Sequence, residues 1–505
     1  MRRVAAKADN GRMNLLILCP DQLRADYLGC YGHPAVGTSN IDGLASEGVR
    51  FDRAYCAAPL CGPSRISFVT STRFSEHNHR SYGSTIDYGV PNLVRSLKDA
   101  GYRAAMFGKN HCFNSDQLPG IWDELDEICL GNYDDHPKYQ RSFDAFPLEP
   151  DHPYNITARL ADETIDFIRR QKSGEPFLVW TNWQDPHPAF TCPEPYFSMF
   201  SPDHIELPPM YREGGGTNKP RRLSNWQANS QAAEATDDDI RRVRAAYMGQ
   251  VRYIDDSVGR ILDALAETGR DADTMVVFLS DHGELLGDHG AFHKIGVFYE
   301  CLTRIPVIIR HPDRVYRGVF GGLVEEVDLA PTMLEALGVP RPASFVGESL
   351  HLPLVDGKGA GGRADGRATV LVETGLQAPT WPGPFGENQK APFAPNNFGP
   401  GAMVTDGRYK LSIYSDDVCE LYDLESDPRE LHNRYEDERL RDVRNRLTLE
   451  LCRRLLSVGV RDVGLCWPDP YGDPREAPLE VATRQVVSFD QPSTLNSQPE
   501  KDCAK

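Results

Sequence analysis

Four short segments of the chain combine acids, imidazoles and a lysine: Asp21-Gln22, Gly108-Lys109-Asn110-His111, Asp185-Pro186-His187 and Asp281-His282-Gly283-Glu284. Carboxylate and amide oxygens are what a hard divalent cation prefers. Imidazoles move protons near neutral pH, and fixed lysines stabilise charge on an anionic reacting group. A fifth segment, Ala57-Ala-Pro-Leu-Cys61-Gly-Pro-Ser-Arg65, sets a thiol close to an arginine, a neighbour that depresses a thiol's pKa. Each feature has a plainer alternative when read singly. Asp21 suits a helix cap, His187 a loop, and Lys109 and Lys294 a solvated surface, while Arg24, Asp26 and Glu284 read as structural groups.

The elements that must position these groups give them more weight. Leu15–Cys19 reads as a strand buried on both faces, and Tyr102–Phe107, Phe177–Trp183, Thr274–Ser280 and Ile305–Arg310 read as further strands. Helical spacing runs through Val90–Ala100, Asn155–Arg170, Asp239–Glu267 and Asp328–Leu337. Alternation of this kind predicts an α/β fold with a large, mostly parallel sheet covered by helices on both sides. The four polar segments each follow a predicted strand. Open α/β sheets bind ligands outside the carboxyl ends of their strands, so four clusters in phase predict one active site.

Gly and small residues dominate 342–366, which reads as a boundary. Beyond it, Ala368–Glu373, Gly401–Thr405 and Tyr409–Tyr414 read as strands and Glu436–Leu456 as an amphipathic helix, a small antiparallel sheet with one packed helix. The organisation expected is a catalytic domain over 13–345, a C-terminal sheet-and-helix subdomain over 366–470 and a flexible tail over 475–505. Two long excursions, Glu206–Asp238 and Gln377–Pro400, are expected to rim the pocket. In them Arg212, Arg221, Arg222 and Trp226 are candidates to meet a sugar or an acidic group, and Trp381, Phe385 and Phe393 to stack on a ring. Surface or packing roles are the alternative for each.

The run Cys61-Gly-Pro-Ser-Arg65 resembles the Cys-x-Pro-Ser-Arg signature of the formylglycine-dependent type I sulfatases, within the alkaline phosphatase superfamily. The resemblance extends through Asp21-Gln22-Leu-Arg24-Ala-Asp26, Gly108-Lys109-Asn-His111, Asp185-Pro-His187-Pro188, Asp281-His-Gly283 with Lys294, and Leu421-Tyr-Asp-Leu-Glu-Ser-Asp-Pro428. It implies an alkaline phosphatase-like fold and hydrolysis of a sulfate monoester, with Cys61 oxidised to formylglycine by a formylglycine-generating enzyme. It further implies a divalent cation, usually Ca²⁺ in this family, held by Asp21, Gln22, Cys61, Asp281 and His282. Many relatives carry Asp where this chain has Gln22, and Asn where it has His282. The amide brings no negative charge to the metal, and the imidazole is a softer ligand, so Mn²⁺ and Mg²⁺ stay open. By the same likeness Arg65 orients the modified residue, Lys109 and Lys294 hold sulfuryl oxygens, His111 bonds the nucleophile and His187 serves the departing alcohol.

Composition narrows the field without naming a substrate. With 55 basic and 73 acidic residues, the formal net charge of −18 disfavours nucleic acid and anionic membrane as partners. The apolar run near the start is too short for a signal peptide, and no stretch reaches the roughly 18–20 apolar residues of a membrane span, so a cytoplasmic location is expected. The 12 cysteines form no Cys-x-x-Cys pair, and most are expected to be reduced and passive. A small sulfated sugar, aryl or alkyl ester is the expected partner. The alternatives are a phosphonate monoester or phosphodiester hydrolase on the same fold, and a non-catalytic anion binder with Cys61 left as a thiol.

Overall fold

The computed structural model describes residues 12–457 apart from 81–83, 129–136, 154, 173, 209–217, 314–315, 351–365 and 376–398. These described residues all belong to one unit. Its strands in chain order are β1 (Asn14–Pro20), β2 (Val49–Tyr55), β3 (Arg103–Gly108), β4 (Glu124–Glu127), β5 (Ala145–Leu148), β6 (Phe177–Trp183), β7 (Phe190–Pro193) and β8 (Thr274–Leu279). They continue with β9 (Arg304–Ile305), β10 (Val307–Arg310), β11 (Gly318–Glu325), β12 (Val370–Thr374), β13 (Gly401–Thr405), β14 (Tyr409–Tyr414) and β15 (Glu420–Asp423).

The central sheet has nine strands in the order β11-β2-β10-β8-β1-β6-β3-β4, with β9 paired to β2. Pairing is parallel except for β10, which runs against both β8 and β2, and β9. β1 lies at the heart of the sheet, and every one of its residues is buried. Its side chains alternate between two cores: Leu15, Ile17 and Cys19 join Phe68, Met106 and Trp180 on one face. Leu16 and Leu18 join Ile165, Val251 and Ile254 on the other. A strand covered on both sides needs apolar residues at every position, and each fully buried Leu or Ile contributes about 1.5–3 kcal/mol of transfer free energy.

Helix Thr157–Arg170 and the long helix Asp237–Glu267 cover the second face. The latter starts at Thr236, whose hydroxyl accepts from the Asp239 amide, and three aspartates in its first turn favour the positive end of the helix dipole. The smaller sheet, β12-β13-β14-β15, is antiparallel throughout. Its Leu371, Val404, Leu411 and Leu421 pack on Leu447 and Leu451 of helix Arg441–Leu456. Among the described residues, no helix is long and apolar enough to cross a membrane.

Candidate active site

The carboxyl ends of β1, β3, β6 and β8 lie side by side, with Pro20 opposite Trp183, Gly108 opposite Asn182 and Leu18 opposite Phe278. Asp21, Lys109 and Asp281 therefore leave the sheet at one edge. Glycines allow the close approach. Gly108 has φ 105, and a Cβ there would sit 2.0 Å from the Asn182 carbonyl oxygen. A Cβ on Gly283 would sit 1.9 Å from the Cys301 carbonyl oxygen.

Cys61 enters from the other direction, as the first residue of the helix Cys61–Thr70, all of which is buried. Its Sγ lies 3.1 Å from His282 Nε2, 3.6 Å from Asp21 Oδ1 and 3.8 Å from Lys109 Nζ. Burial and Asp21 push the thiol pKa up, but Lys109, Lys294 and His282 outweigh them and the net shift is downward. Arg65, one turn along the helix, reaches beneath: Nε donates to Asp281 Oδ2 at 2.9 Å and Nη1 to Asn182 Oδ1 at 2.8 Å, while Nη2 pairs with Asp21 at 3.3 Å. One guanidinium thus fixes both carboxylates that face the sulfur.

Lys109 Nζ lies 2.7 Å from Asp21 Oδ2. Burial raises the Asp21 carboxyl, yet Lys109, His187 and Arg65 hold it well below the ordinary range. For His282, burial opposes the charged form, but Asp281 and Cys61 keep its pKa up at about 9. Its Nδ1 donates to the Gly283 carbonyl at 2.9 Å, leaving Nε2 toward the sulfur. Burial, Lys294 and Lys109 push His187 well below its ordinary value, and its Nδ1 donates to the Pro188 carbonyl at 2.7 Å. Burial and Lys109 likewise depress His111, whose buried Nδ1 has no hydrogen-bond partner among the described residues.

Asp21, Cys61, Asp281 and His282 each offer one donor atom, all within 4.8 Å of one another, and all four residues are buried. Two carboxylate oxygens, an imidazole nitrogen and the atom at position 61 make a donor set that fits a divalent cation. Gln22 stands beside this group in the left-handed region (φ 67), its amide on Asp281 Oδ1 at 3.0 Å. Its side-chain oxygen accepts from Lys294 Nζ at 2.5 Å and its amide nitrogen donates to Glu284.

Other groups carry no motif that sequence reasoning used. Glu326 is buried beneath the Cys61 helix and accepts from the Ala57 amide at 2.9 Å and from Ser64 Oγ at 2.8 Å. Burial lifts it to about 8 against those bonds. Tyr247 donates to the Gln22 carbonyl at 2.8 Å, and Asn182 is the arginine's partner on β6. Arg24 is paired to Asp26 and Asp288.

The substrate-contact reading of Arg222 and Trp226 is corrected. Both are buried in the helix Arg221–Asn229 within the 206–238 excursion: Arg222 pairs with Asp416, and the Trp226 indole donates to the Phe292 carbonyl. Arg221 points to solvent beside Asp417. Arg212, Trp381, Phe385 and Phe393 lie outside the described residues. A separate cavity of about 820 Å³, lined by Arg53, Tyr55, Arg304 and Arg429 among others, contains none of Asp21, Cys61, Lys109, His187, Asp281 and Lys294. Two of its acids, Asp288 and Glu300, are paired with Arg24, Arg244 and Lys410.

The fold is that of the alkaline phosphatase-like hydrolases. It matches the crystal structure of the phosphonate monoester hydrolase of Agrobacterium radiobacter with a TM-score of 0.71 and 26% identity, over 89% of this chain and 96% of that one. The Sulfatase profile matches residues 13–339, and the chain belongs to this family of sulfuric ester hydrolases. It is 28% identical over 456 residues to the uncharacterized sulfatase YidJ of Escherichia coli (strain K12), covering 86% of each. It is 29% identical over 375 residues to the arylsulfatase of Clostridium perfringens, covering 67% of this chain and 77% of that protein.

Proposed function

We propose that the chain hydrolyses a sulfate monoester to an alcohol and inorganic sulfate, with formylglycine derived from Cys61 as nucleophile and a divalent cation beside it. The observation that carries this reading is the buried contact of Cys61 Sγ with His282 Nε2 at 3.1 Å, inside a metal-sized donor group and 3.8 Å from Lys109. A thiol sealed among two carboxylates and two lysines has little access for redox exchange, but an oxygen at the same position would face whatever those charges hold.

Asp21, Gln22, Asp281 and His282 with residue 61 would hold the cation, Ca²⁺ by family likeness with Mn²⁺ or Mg²⁺ as alternatives, and its charge would stabilise the sulfuryl oxygens. The hydrated aldehyde would supply the attacking oxygen and, through its second hydroxyl, a route for sulfate to leave without water attacking sulfur. Arg65 holds Asp21 and Asp281 in place. Lys109 and Lys294 present ammonium groups to sulfuryl oxygens, where charge matters most because water is excluded. His111, whose Nδ1 has no partner among the described residues, bonds the nucleophile. His187, its ring fixed by Pro188, would protonate or hydrogen-bond the departing alcohol.

The structural likeness to a phosphonate monoester hydrolase favours a second reading, a phosphonate or phosphodiester substrate on the same residues. The Gly108-Lys109-Asn-His111 segment supports the sulfate reading. Turnover of an aryl sulfate and an aryl phosphonate ester by the purified, matured protein separates them. Aryl sulfate is expected to be the better substrate, and a preference for phosphonate by orders of magnitude overturns the proposal. Mass analysis of the tryptic peptide holding Cys61, in protein from its native host, is expected to show sulfur replaced by an aldehyde oxygen. An unmodified thiol there supports the anion binder.

A further inference from the structure

Lys294 sits on a loop that a single helix grips from behind. From the helix Arg221–Asn229, Arg222 Nη1 donates to the Gly296 carbonyl at 3.0 Å, Trp226 Nε1 to the Phe292 carbonyl at 2.7 Å and Gln227 Nε2 to the His289 carbonyl at 2.7 Å. The first two bonds straddle Lys294, two residues to either side. Leu223 of the same helix packs in one apolar cluster with Ile295 and Val297, the residues on either side of Gly296. On the far side, Glu284 accepts from the His293 amide, and His293 Nε2 donates to the Ser142 carbonyl at 2.8 Å. Ser142 in turn donates to the carbonyl of Ser230, at the end of the helix.

The helix itself is anchored by the small antiparallel sheet. Asp417, between β14 and β15, accepts the Arg221 and Arg222 amides at 2.7 and 2.8 Å, an acid at the first turn where the amides have no helical partners. Asp416 pairs with Arg222 at 2.6 Å, and the guanidinium lies 4.1 Å from the Tyr414 ring centre. Just before the helix, Lys219 Nζ donates to Tyr422 Oη and to the Glu430 carbonyl, both at 2.7 Å.

We infer that the helix Arg221–Asn229 is a positioning device for Lys294, through which the C-terminal sheet sets the geometry of the active-site lysine. The inference rests on the role given to Lys294 in the proposed sulfate chemistry. An ammonium on a flexible four-carbon stem holds a sulfuryl oxygen well only if its backbone is fixed, and three side-chain donors on one loop provide that. Trp226, Arg222 and Gln227 are positioning residues and touch no reacting atom.

A double-mutant cycle tests it. Trp226→Phe keeps an aromatic ring and removes the indole donor. It is expected to lower kcat/KM for an aryl sulfate by roughly tenfold, with the thermal midpoint still showing a folded enzyme. In a Lys294→Ala background the same substitution is expected to change kcat/KM less than about twofold, because contacting residues couple non-additively. Equal losses in the two backgrounds overturn the inference. If Trp226→Phe does not fold, Gln227→Leu at a half-buried position carries the same cycle. Asn225→Ala, exposed on the same helix, is expected to behave as the parent, and a comparable loss there also overturns the inference. A Lys294→Ala enzyme that turns over normally would instead remove Lys294 from the proposed chemistry, an outcome read before the cycle begins.

Discussion

Cys61 Sγ and His282 Nε2 lie 3.1 Å apart, although the residues are 221 positions apart in the chain. The helix that begins at Cys61 enters the site against the end of β8, and the Gly283 carbonyl fixes the His282 ring through Nδ1. Positions 61 and 282 therefore form one unit, and a change at either is felt at the other.

Replacing the nucleophile is the most direct check. Cys61→Ala is expected to lower kcat by about 10⁴-fold or more while the protein stays folded, the scale seen when an attacking group is deleted elsewhere. Steady-state turnover of an aryl sulfate measures it. A folded, metal-loaded Cys61→Ala enzyme as fast as the parent removes the basis of the proposed mechanism.

His187→Ala should be read against the leaving group. A proton donor contributes roughly 10²–10⁴-fold, and most where the departing alcohol is a poor leaving group. The loss in kcat is expected to be large for alkyl or sugar sulfates and small for nitrophenyl sulfate. A uniform loss across the series would place His187 in substrate holding instead.

Arg65 is a stability prediction as well as a catalytic one. It is paired to Asp21 and Asp281, with all three side chains at most 1% exposed. Arg65→Met takes the guanidinium from buried Asp281 and leaves buried Asp21 with Lys109, at a cost of about 3–5 kcal/mol. Chemical denaturation of the metal-free protein should show it, and a change below about 1 kcal/mol contradicts the structure.

Removing the cation should act on folding and turnover together. Chelation is expected to abolish activity and lower the thermal midpoint, and Ca²⁺ to restore both. A ligand at a thousandfold excess over its Kd adds about 4 kcal/mol to the native state. Parallel titrations with Mn²⁺ and Mg²⁺ rank the metals. Full activity in exhaustively chelated protein rules the cation out.

Acid sensitivity has a source packed against the helix Cys61–Thr70. Burial holds His77 at about 3, below its ordinary 6.5, with Ser67 Oγ 2.9 Å from its ring. Between these values the unfolded chain takes up a proton that the native state refuses, so this residue's contribution to stability is lost as pH falls from 6.5 toward 3. The slope is up to about 1.4 kcal/mol per pH unit. A His77→Gln variant should show a flatter fall of unfolding free energy from pH 6 to 4, and parallel curves would refute the assignment.

The parts of this architecture that could be read from the chain are those where burial forces a simple pattern. β1, β6 and β8 are runs buried throughout, and each announces itself by an unbroken apolar stretch, Leu15–Cys19, Phe177–Trp180 and Met275–Leu279. β2 escaped because Val49–Tyr55 interleaves Arg50, Asp52 and Arg53 with apolar residues, and β11 because its glycines carry no strand preference. The reversed direction of β10 was not legible either, since an apolar run does not encode its own polarity. At the site, the polar segments after strands marked the edge where Asp21, Lys109 and Asp281 emerge. The turn of the Gln22 amide toward Lys294 depends on a left-handed backbone and a partner 272 residues away. Arg222 and Trp226 show the same gap. Residue types that suit a sugar also suit a polar interior, and only packing distinguishes the two.

The wholly buried Lys410 on β14 lies 3.0 Å from Glu300 and 2.9 Å from Glu430, and Glu420 on β15 accepts the hydroxyl of Tyr299 at 3.0 Å. Recombination between relatives is constrained by these contacts. A chimera that exchanges the last four strands must carry residues 299, 300 and 430 with them, or it strands an ammonium or a carboxylate where no solvent can reach.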